Sequence, residues 1–313
     1  VSKLSRLSYV GLGKETVMGT AVAPTVFPPT TANGPEDIIA PLRDESFRGN
    51  DSLLQGLYGG AADSTYDIAG MPYPDTFGNF LRAIIGPDVV TAPVAPATLS
   101  GHLFKSNNTQ APTYTLTDYD LVEARAFPGC LLSDLNIKID TKGAVTYDAK
   151  WMGWPSAGAA TPVPPFTALQ PWLGWQLTWS AGGVSSTRVE TTDLNFKRAV
   201  DMIAGSDGIQ SPRESFAEGL GFTATAKILF EDNTDLNRFL TYAQQAVTAT
   251  LTQPLSQGGA ILAVTCSKAS WNKAKRDMSG KYATLDVNID GVYNATDAGP
   301  AQVTLTGPQA TAY

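Results

Sequence analysis

Proline clusters set the tightest limit on this fold. Each pyrrolidine ring fixes φ and removes a backbone donor, so a helix cannot run through them. Pro24, Pro28, Pro29, Pro35 and Pro41 crowd the start of the chain, which predicts an extended arm over residues 1–44. A second cluster, Pro87 to Pro112, predicts a long loop. The third lies between Gly153 and Pro171, with Pro155, Pro162, Pro164 and Pro165 set among Ala and Gly in the composition of a semi-rigid linker. The predicted organisation is an arm (1–44), a first half (45–155), a linker (156–171) and a second half (172–313), and 313 residues suffice for two units of ordinary size.

Between the clusters the hydrophobic period is mostly two. Phe222, Ala224, Ala226, Ile228 and Phe230 alternate with Thr223, Thr225, Lys227 and Leu229, which predicts a strand with one buried face. Leu135, Ile137 and Ile139 alternate with Asn136, Lys138 and Asp140, then turn at Thr141-Lys142-Gly143 into Val145, Tyr147 and Ala149, a hairpin pattern. Similar runs are 177–180, 261–266, 282–289 and 302–306. The fold class is mainly β with few helices.

Helical spacing occurs twice. Phe77, Phe80, Leu81, Ile84 and Ile85 form one stripe, opened by Asp75 or Thr76 and closed by Gly86-Pro87; Leu236, Phe239, Leu240 and Ala243 form the other, opened near Asp232 to Thr234. Each follows a strand (66–73 and 222–230), and each is preceded by Glu-Ser-Phe, at 45–47 and 214–216. Asp134-Leu135-Asn136 is echoed by Asp286-Val287-Asn288. The repeated strand-to-helix order predicts an internal duplication, one flanking helix per half.

Charge narrows the function. Lys and Arg number 22 against 29 Asp and Glu, a net charge of −7, which argues against gripping a phosphate backbone. Charged residues make up 16% of the chain, against roughly 25% in an average soluble protein. Depletion of charge is a property of covered surface, so the chain is expected to assemble with copies of itself or with partners. Cys130 and Cys266 stand far apart with no second Cys or His nearby, which predicts two buried thiols. No run of 18 apolar residues and no signal-type segment occurs, so residence in a cytoplasm and no membrane partner are expected.

The search for catalytic, cofactor-binding and metal-binding residues assigns none. His102 is the only histidine, in Gly101-His102-Leu103-Phe104 beside the second proline cluster, and is expected to be a loop residue without chemistry, its replacement by Ala silent. Gly11-Leu12-Gly13-Lys14 fails as a phosphate loop, since Ser8 stands where the first Gly belongs and Glu15 follows the Lys. Asp232-Asn233-Thr234-Asp235 fails as a calcium loop, with Asn237 at the glycine position, and is read as helix capping. Glu231-Asp232 and Asp118 with Asp120 are the acid pairs a glycoside hydrolase would need, although acids so placed are more often simply solvated. Trp151, Trp154, Trp172, Trp175 and Trp179 would serve as a sugar platform if exposed, or as glue between layers or subunits if buried; glue is the favoured reading.

Gly13-Lys14-Glu15-Thr16, then Gly19-Thr20-Ala21, then Pro24-Thr25-Val26-Phe27-Pro28 resemble the opening of the major tail tube proteins of long-tailed, siphovirus-like bacteriophages. Asp75 to Gly86, Pro128-Gly129-Cys130 leading into 131–140, and Gly219 to Phe230 leading into Glu231-Asp232 fit as well, so the resemblance spans nearly the whole chain. Arg125-Ala126-Phe127-Pro128-Gly129 departs from it, with Phe-Pro where the family more often has an aromatic directly before Gly.

The resemblance implies β-sandwich or split-barrel tube domains that self-assemble into stacked rings, a virion conduit for DNA ejection with no enzyme activity and no cofactor. It implies assembly in the host cytoplasm, tape-measure, terminator and distal-tail proteins as partners, and viral DNA passing through a lumen with negative or neutral walls without specific binding. Four strands from each of six domains would give about 24 strands, a circumference of about 150 Å and a backbone diameter of about 48 Å, wide enough for duplex DNA. With two units per chain this means a ring of three chains with pseudo-sixfold symmetry; a true hexamer is the other arrangement. The competing function is a carbohydrate-binding or adhesin-like β-protein, and a glycoside hydrolase is a third.

Overall fold

Alternating side chains fold here as the pattern dictates: apolar positions turn to one side of a sheet, polar ones to the other. The computed structural model describes residues 4–93 and 98–313. After a single 3-10 turn at Ser5–Leu7, the first half runs β1 (Tyr9–Lys14), β2 (Thr30–Asp44), β3 (Gly56–Gly70), α1 (Gly78–Ile84), β4 (Asp88–Thr91), β5 (Ser100–Phe104), β6 (Tyr114–Tyr119), β7 (Ala124–Asp140), β8 (Thr146–Gly153) and β9 (Ala157–Ala159). The second runs β10 (Leu177–Ala181), β11 (Val184–Ser186), β12 (Val189–Lys197), β13 (Val200–Ile203), β14 (Glu214–Ala217), β15 (Gly221–Leu229), α2 (Thr234–Leu240), β16 (Gln244–Thr252), β17 (Ile261–Asp277), β18 (Thr284–Gly291) and β19 (Gln302–Gly307).

Eight of these strands form one antiparallel run in the spatial order β2-β3-β8-β7-β12-β15-β18-β17. One face of the run is core: Tyr66, Ile68, Tyr147, Trp151, Phe196 and Val287 are all buried on it. The long strands β7 and β17 bend out of this layer. Their leading parts pair with β6 and β16, which pair in turn with β1 and β10, building a second layer over the core.

Seven strands of each half repeat this wiring, while β4, β5, β11, β13 and β14 have no counterpart. β1, β2, β3, β6, β7, β8 and β9 have as counterparts β10, β12, β15, β16, β17, β18 and β19, and α1 and α2 pack on the counterpart strands β7 and β17. Even the irregularities coincide. An extra residue interrupts β2 at Thr31 and β12 at Glu190, and another interrupts β7 at Ser133 and β17 at Asn272. Bulges are designed features of a sheet, so their coincidence at matched positions is the firmest sign of duplication.

The two motif echoes differ in standing. The bulges align Asp134 with Lys273 and Asp148 with Asp286, so Asp134-Leu135-Asn136 and Asp286-Val287-Asn288 sit on non-equivalent strands. Glu-Ser-Phe lies in the matched connection of both halves, between β2 and β3 at 45–47 and on β14, between β12 and β15, at 214–216.

The expected hairpin at 135–149 forms, with Ile137 opposite Tyr147. The expected long loop from Pro87 to Pro112 contains the hairpin β4/β5, in which Val90 pairs with His102; its residues 94–97 lie outside the described ones. Of the arm 1–44, residues 1–3 are likewise outside them, β1 is built into the second layer with Val10 and Leu12 buried, and only β2 is exposed along its length. Prolines exclude helix but not an edge strand, because a missing N–H on the outer side breaks no ladder; Pro35 and Pro41 both sit on β2. Within the expected linker 156–171, β9 pairs with the start of β7. α1 opens at Phe77 without a side-chain cap, and Phe77 N–H bonds to Tyr73 O at 3.0 Å, so a turn rather than Asp75 or Thr76 starts this helix.

Candidate assembly interface

The outward face of the eight-stranded run is mostly polar, with Ile38, Ala69 and Met152 among its few apolar residues. Strand pairing sets its residues in rows: Asp67, Lys150 and Asp134 in one, Thr191, Lys227, Asp286 and Lys275 in another. Glu36, Asp63, Asp140, Asp148, Asp193 and Asp290 lie on the same face, and acids outnumber lysines there. Lys138 donates to Asp148 and, by register, stands opposite Asp193. Burial raises the Asp193 carboxyl, and Lys138 partly offsets this.

The two halves meet within this face at the β7/β12 joint. Leu194 opposes Ile137 and Phe196 opposes Leu135 on the core side, all buried; on the polar side Asn195 Nδ2 donates to Asp134 Oδ1 at 2.6 Å. Among the described residues the run ends in two unpaired edges, the outer side of β2 and the outer side of β17 from Lys273 onward. Beyond the sheet, the β2/β3 hairpin carries exposed Ile39, Leu42, Phe47, Leu53 and Leu57. Several exposed apolar side chains on one hairpin suit an interaction surface.

Beneath the sheets, the short motifs of the sequence converge on one node. Glu15, 6% exposed, accepts at Oε1 from Gly129 N–H and Thr115 Oγ1–H, both at 2.8 Å, and at Oε2 from Gly19 N–H at 2.9 Å. Gly19 and Gly129 have φ of +74° and +64°, and the Trp154 ring lies so close that a Cβ at either would sit within 2.7 Å of it. Only glycine serves there, for conformation and for space. Trp154 Nε1–H donates to Ser215 Oγ at 2.9 Å, and Ser215 Oγ–H donates to Gly129 O at 2.8 Å. Ser215 of β14 thus ties the second half into the node, a role its sequence context did not reveal.

The residues weighed as chemical candidates have structural surroundings. His102 is on a strand, not in a loop, and is fully buried: Nδ1 lies 2.8 Å from Asp88 Oδ2, Nε2 lies 2.8 Å from Gln309 O, and the ring packs at a tilt against Tyr313, centroids 4.7 Å apart. Arg188 pairs with Asp232 at 2.8 Å and Arg238 with Asp235, so two guanidinium groups occupy the carboxylates of the calcium-like stretch; Asp232 also accepts from Thr234 N–H beside α2. Trp151, Trp172 and Trp179 are core, Trp154 belongs to the node, and of the five only Trp175 is exposed. Cys130 and Cys266 are buried free thiols; burial raises both, Cys266 to about 11. Among the described residues no helix is long and apolar enough to cross a membrane.

Asp118 and Asp120 are not a pair. Asp120 caps a turn by accepting from Val122 and Glu123 N–H. Asp118 is buried, accepting from Tyr66 Oη–H at 2.6 Å and Asn33 Nδ2 at 3.0 Å, and desolvation raises its carboxyl above the usual range despite both bonds. A raised acid holds its proton more tightly folded than unfolded, so its contribution to stability falls as pH rises from the unfolded value, near 4, through the folded one. Asp118→Asn removes that titration. Relative to wild type, the variant is expected to gain stability between about pH 4 and pH 7; urea midpoints with a constant or falling difference would contradict this.

The protein-family model described as phage tail tube protein matches residues 5–311. No curated protein matches the chain.

Proposed function

The chain belongs to the phage tail tube protein family, and from that premise we propose that it self-assembles into rings that stack as the tube of the virion tail, through which viral DNA leaves. The observation that carries this reading is the eight-stranded antiparallel run, open at both edges among the described residues, apolar on one face and polar with an excess of acids on the other. A closed barrel of such runs presents the acidic face to its bore, where it repels phosphates and lets a duplex slide without binding. Each half supplies four strands, so the two tube units of one chain supply eight.

Three chains then supply about 24 strands, with a backbone diameter of about 48 Å. Eight strands closed upon themselves would measure only about 16 Å across and leave no bore. Ring stacking falls to the apolar β2/β3 hairpin, which projects past the sheet. The role is structural rather than catalytic; tail proteins that set tube length and cap its ends are its further partners, and assembly takes place in the host cytoplasm. Native mass spectrometry of isolated rings, with negative-stain images of the same sample, is expected to count three chains per ring. Six chains would overturn the trimer, and monodisperse particles at high concentration would overturn the tube.

A further inference from the structure

The duplication supplies a template for a joint the single chain leaves unmade. Within the chain, β12 of the second half pairs with the trailing part of β7 of the first. The counterpart of β12 is β2 and the counterpart of β7 is β17, and among the described residues both have that side unpaired. We propose that the outer edge of β2 in one chain pairs antiparallel with β17 of a neighbouring copy, in the register of the β7/β12 joint: Ile38 opposite Lys273, Glu36 opposite Lys275 and Gly34 opposite Asp277. This deepens the tube reading and rests on it.

Three observations support this register. Direction is the first. Strands alternate along the run from β2 to β17, so the two free edges are antiparallel, as the template requires.

Charge is the second. The register sets Glu36 directly across from Lys275 and diagonal to Lys273, where the internal joint has Asn195 across from Asn136 and hydrogen-bonded diagonally to Asp134. Among the described residues, Glu36, Lys273 and Lys275 make no ion pair inside the chain. Opposite charges facing across strands stabilise a pairing, and like charges disfavour it.

Exposure is the third. Leu135 and Ile137 of β7 are buried beneath β12, whereas Lys273, Lys275 and Arg276 of β17 are exposed, as is nearly all of β2. Pro35 fits as well. Its counterpart Leu194 turns its backbone toward the joint, so Pro35 omits one donor from the new ladder and blunts a free edge that would otherwise template pairing in any register.

Across the internal joint Arg198 N–H donates to Ser133 O, so by alternation Asn195 and Asn136 form a non-hydrogen-bonded pair. Glu36 and Lys275 would then have Cα atoms about 4.5 Å apart, within the range of a disulfide. The double variant Glu36→Cys with Lys275→Cys, oxidised after assembly, is expected to give chain-to-chain disulfides on a non-reducing gel, in a ladder that stops at three. Glu36→Cys with Arg276→Cys, one residue out of register, is expected to give none; native Cys130 and Cys266 are buried and contribute no background.

Glu36→Lys alone and Lys275→Glu alone are each expected to raise the critical concentration for assembly about tenfold or more, and combining them is expected to restore it. Tubes that form without the disulfide, or that ignore the charge reversals, overturn this joint and leave the tube reading standing. A wild-type chain that forms neither ring nor tube overturns both.

Discussion

Replacing Glu15 by Ala is expected to lower stability by about 3–5 kcal/mol, a large share of what a folded domain possesses. The carboxylate accepts three hydrogen bonds that tie the loop after β1, strand β6 and the bend of β7. Removing it leaves the buried Gly129 N–H and the Thr115 hydroxyl without an acceptor, and an unsatisfied buried donor costs its full desolvation. Glu15→Gln keeps one oxygen acceptor and is expected to cost about half as much. Urea unfolding reads both. A midpoint shift for Glu15→Ala worth less than about 1 kcal/mol would show that the node relaxes around the loss.

His102→Ala, expected from the sequence to be silent, is expected from the structure to cost about 2–4 kcal/mol. The ring has 0% exposure, joins Asp88 of β4 to Gln309, and packs at a tilt against Tyr313, whose hydroxyl donates to Pro74 O at 2.8 Å. Its loss leaves a buried carboxylate short of a partner and frees the tail that covers α1. Hydrogen exchange over residues 308–313 is expected to rise with the fall in stability; unchanged protection there would separate the histidine from the tail.

The difference between those two expectations for His102 shows where sequence reading ran out. Period-two alternation is a local signal, so 222–230 and the 135–149 hairpin were legible, as were both helices. A strand that lies in a proline-rich region is not: β4 and β5 are short, and their pairing with each other and with β19 depends on contacts remote in sequence. β2 was hidden in the same way, because its prolines fit an edge and an arm equally well. The duplication was legible only through the repeated strand-to-helix order. Its firmest sign is in the bulges, which no residue type announces; of the two tripeptide echoes, Glu-Ser-Phe lies in matched connections and only Asp134-Leu135-Asn136 with Asp286-Val287-Asn288 occupies unmatched strands. The Glu15 node was partly visible, since Gly13-Lys14-Glu15-Thr16, Gly19 and Pro128-Gly129 each stood out as motifs. That they touch, and that Ser215 closes them, needed coordinates.

The β7/β12 joint also bears on how a ring begins. In a ring of three duplicated chains, half of the seams are already closed by covalent connection, at an effective local concentration in the millimolar range or above. Nucleation then requires three bodies to meet instead of six, which lowers the reaction order in free protein. The remaining seams form only by encounter, so a strained or diluted ring would open at every second seam, releasing intact two-unit chains.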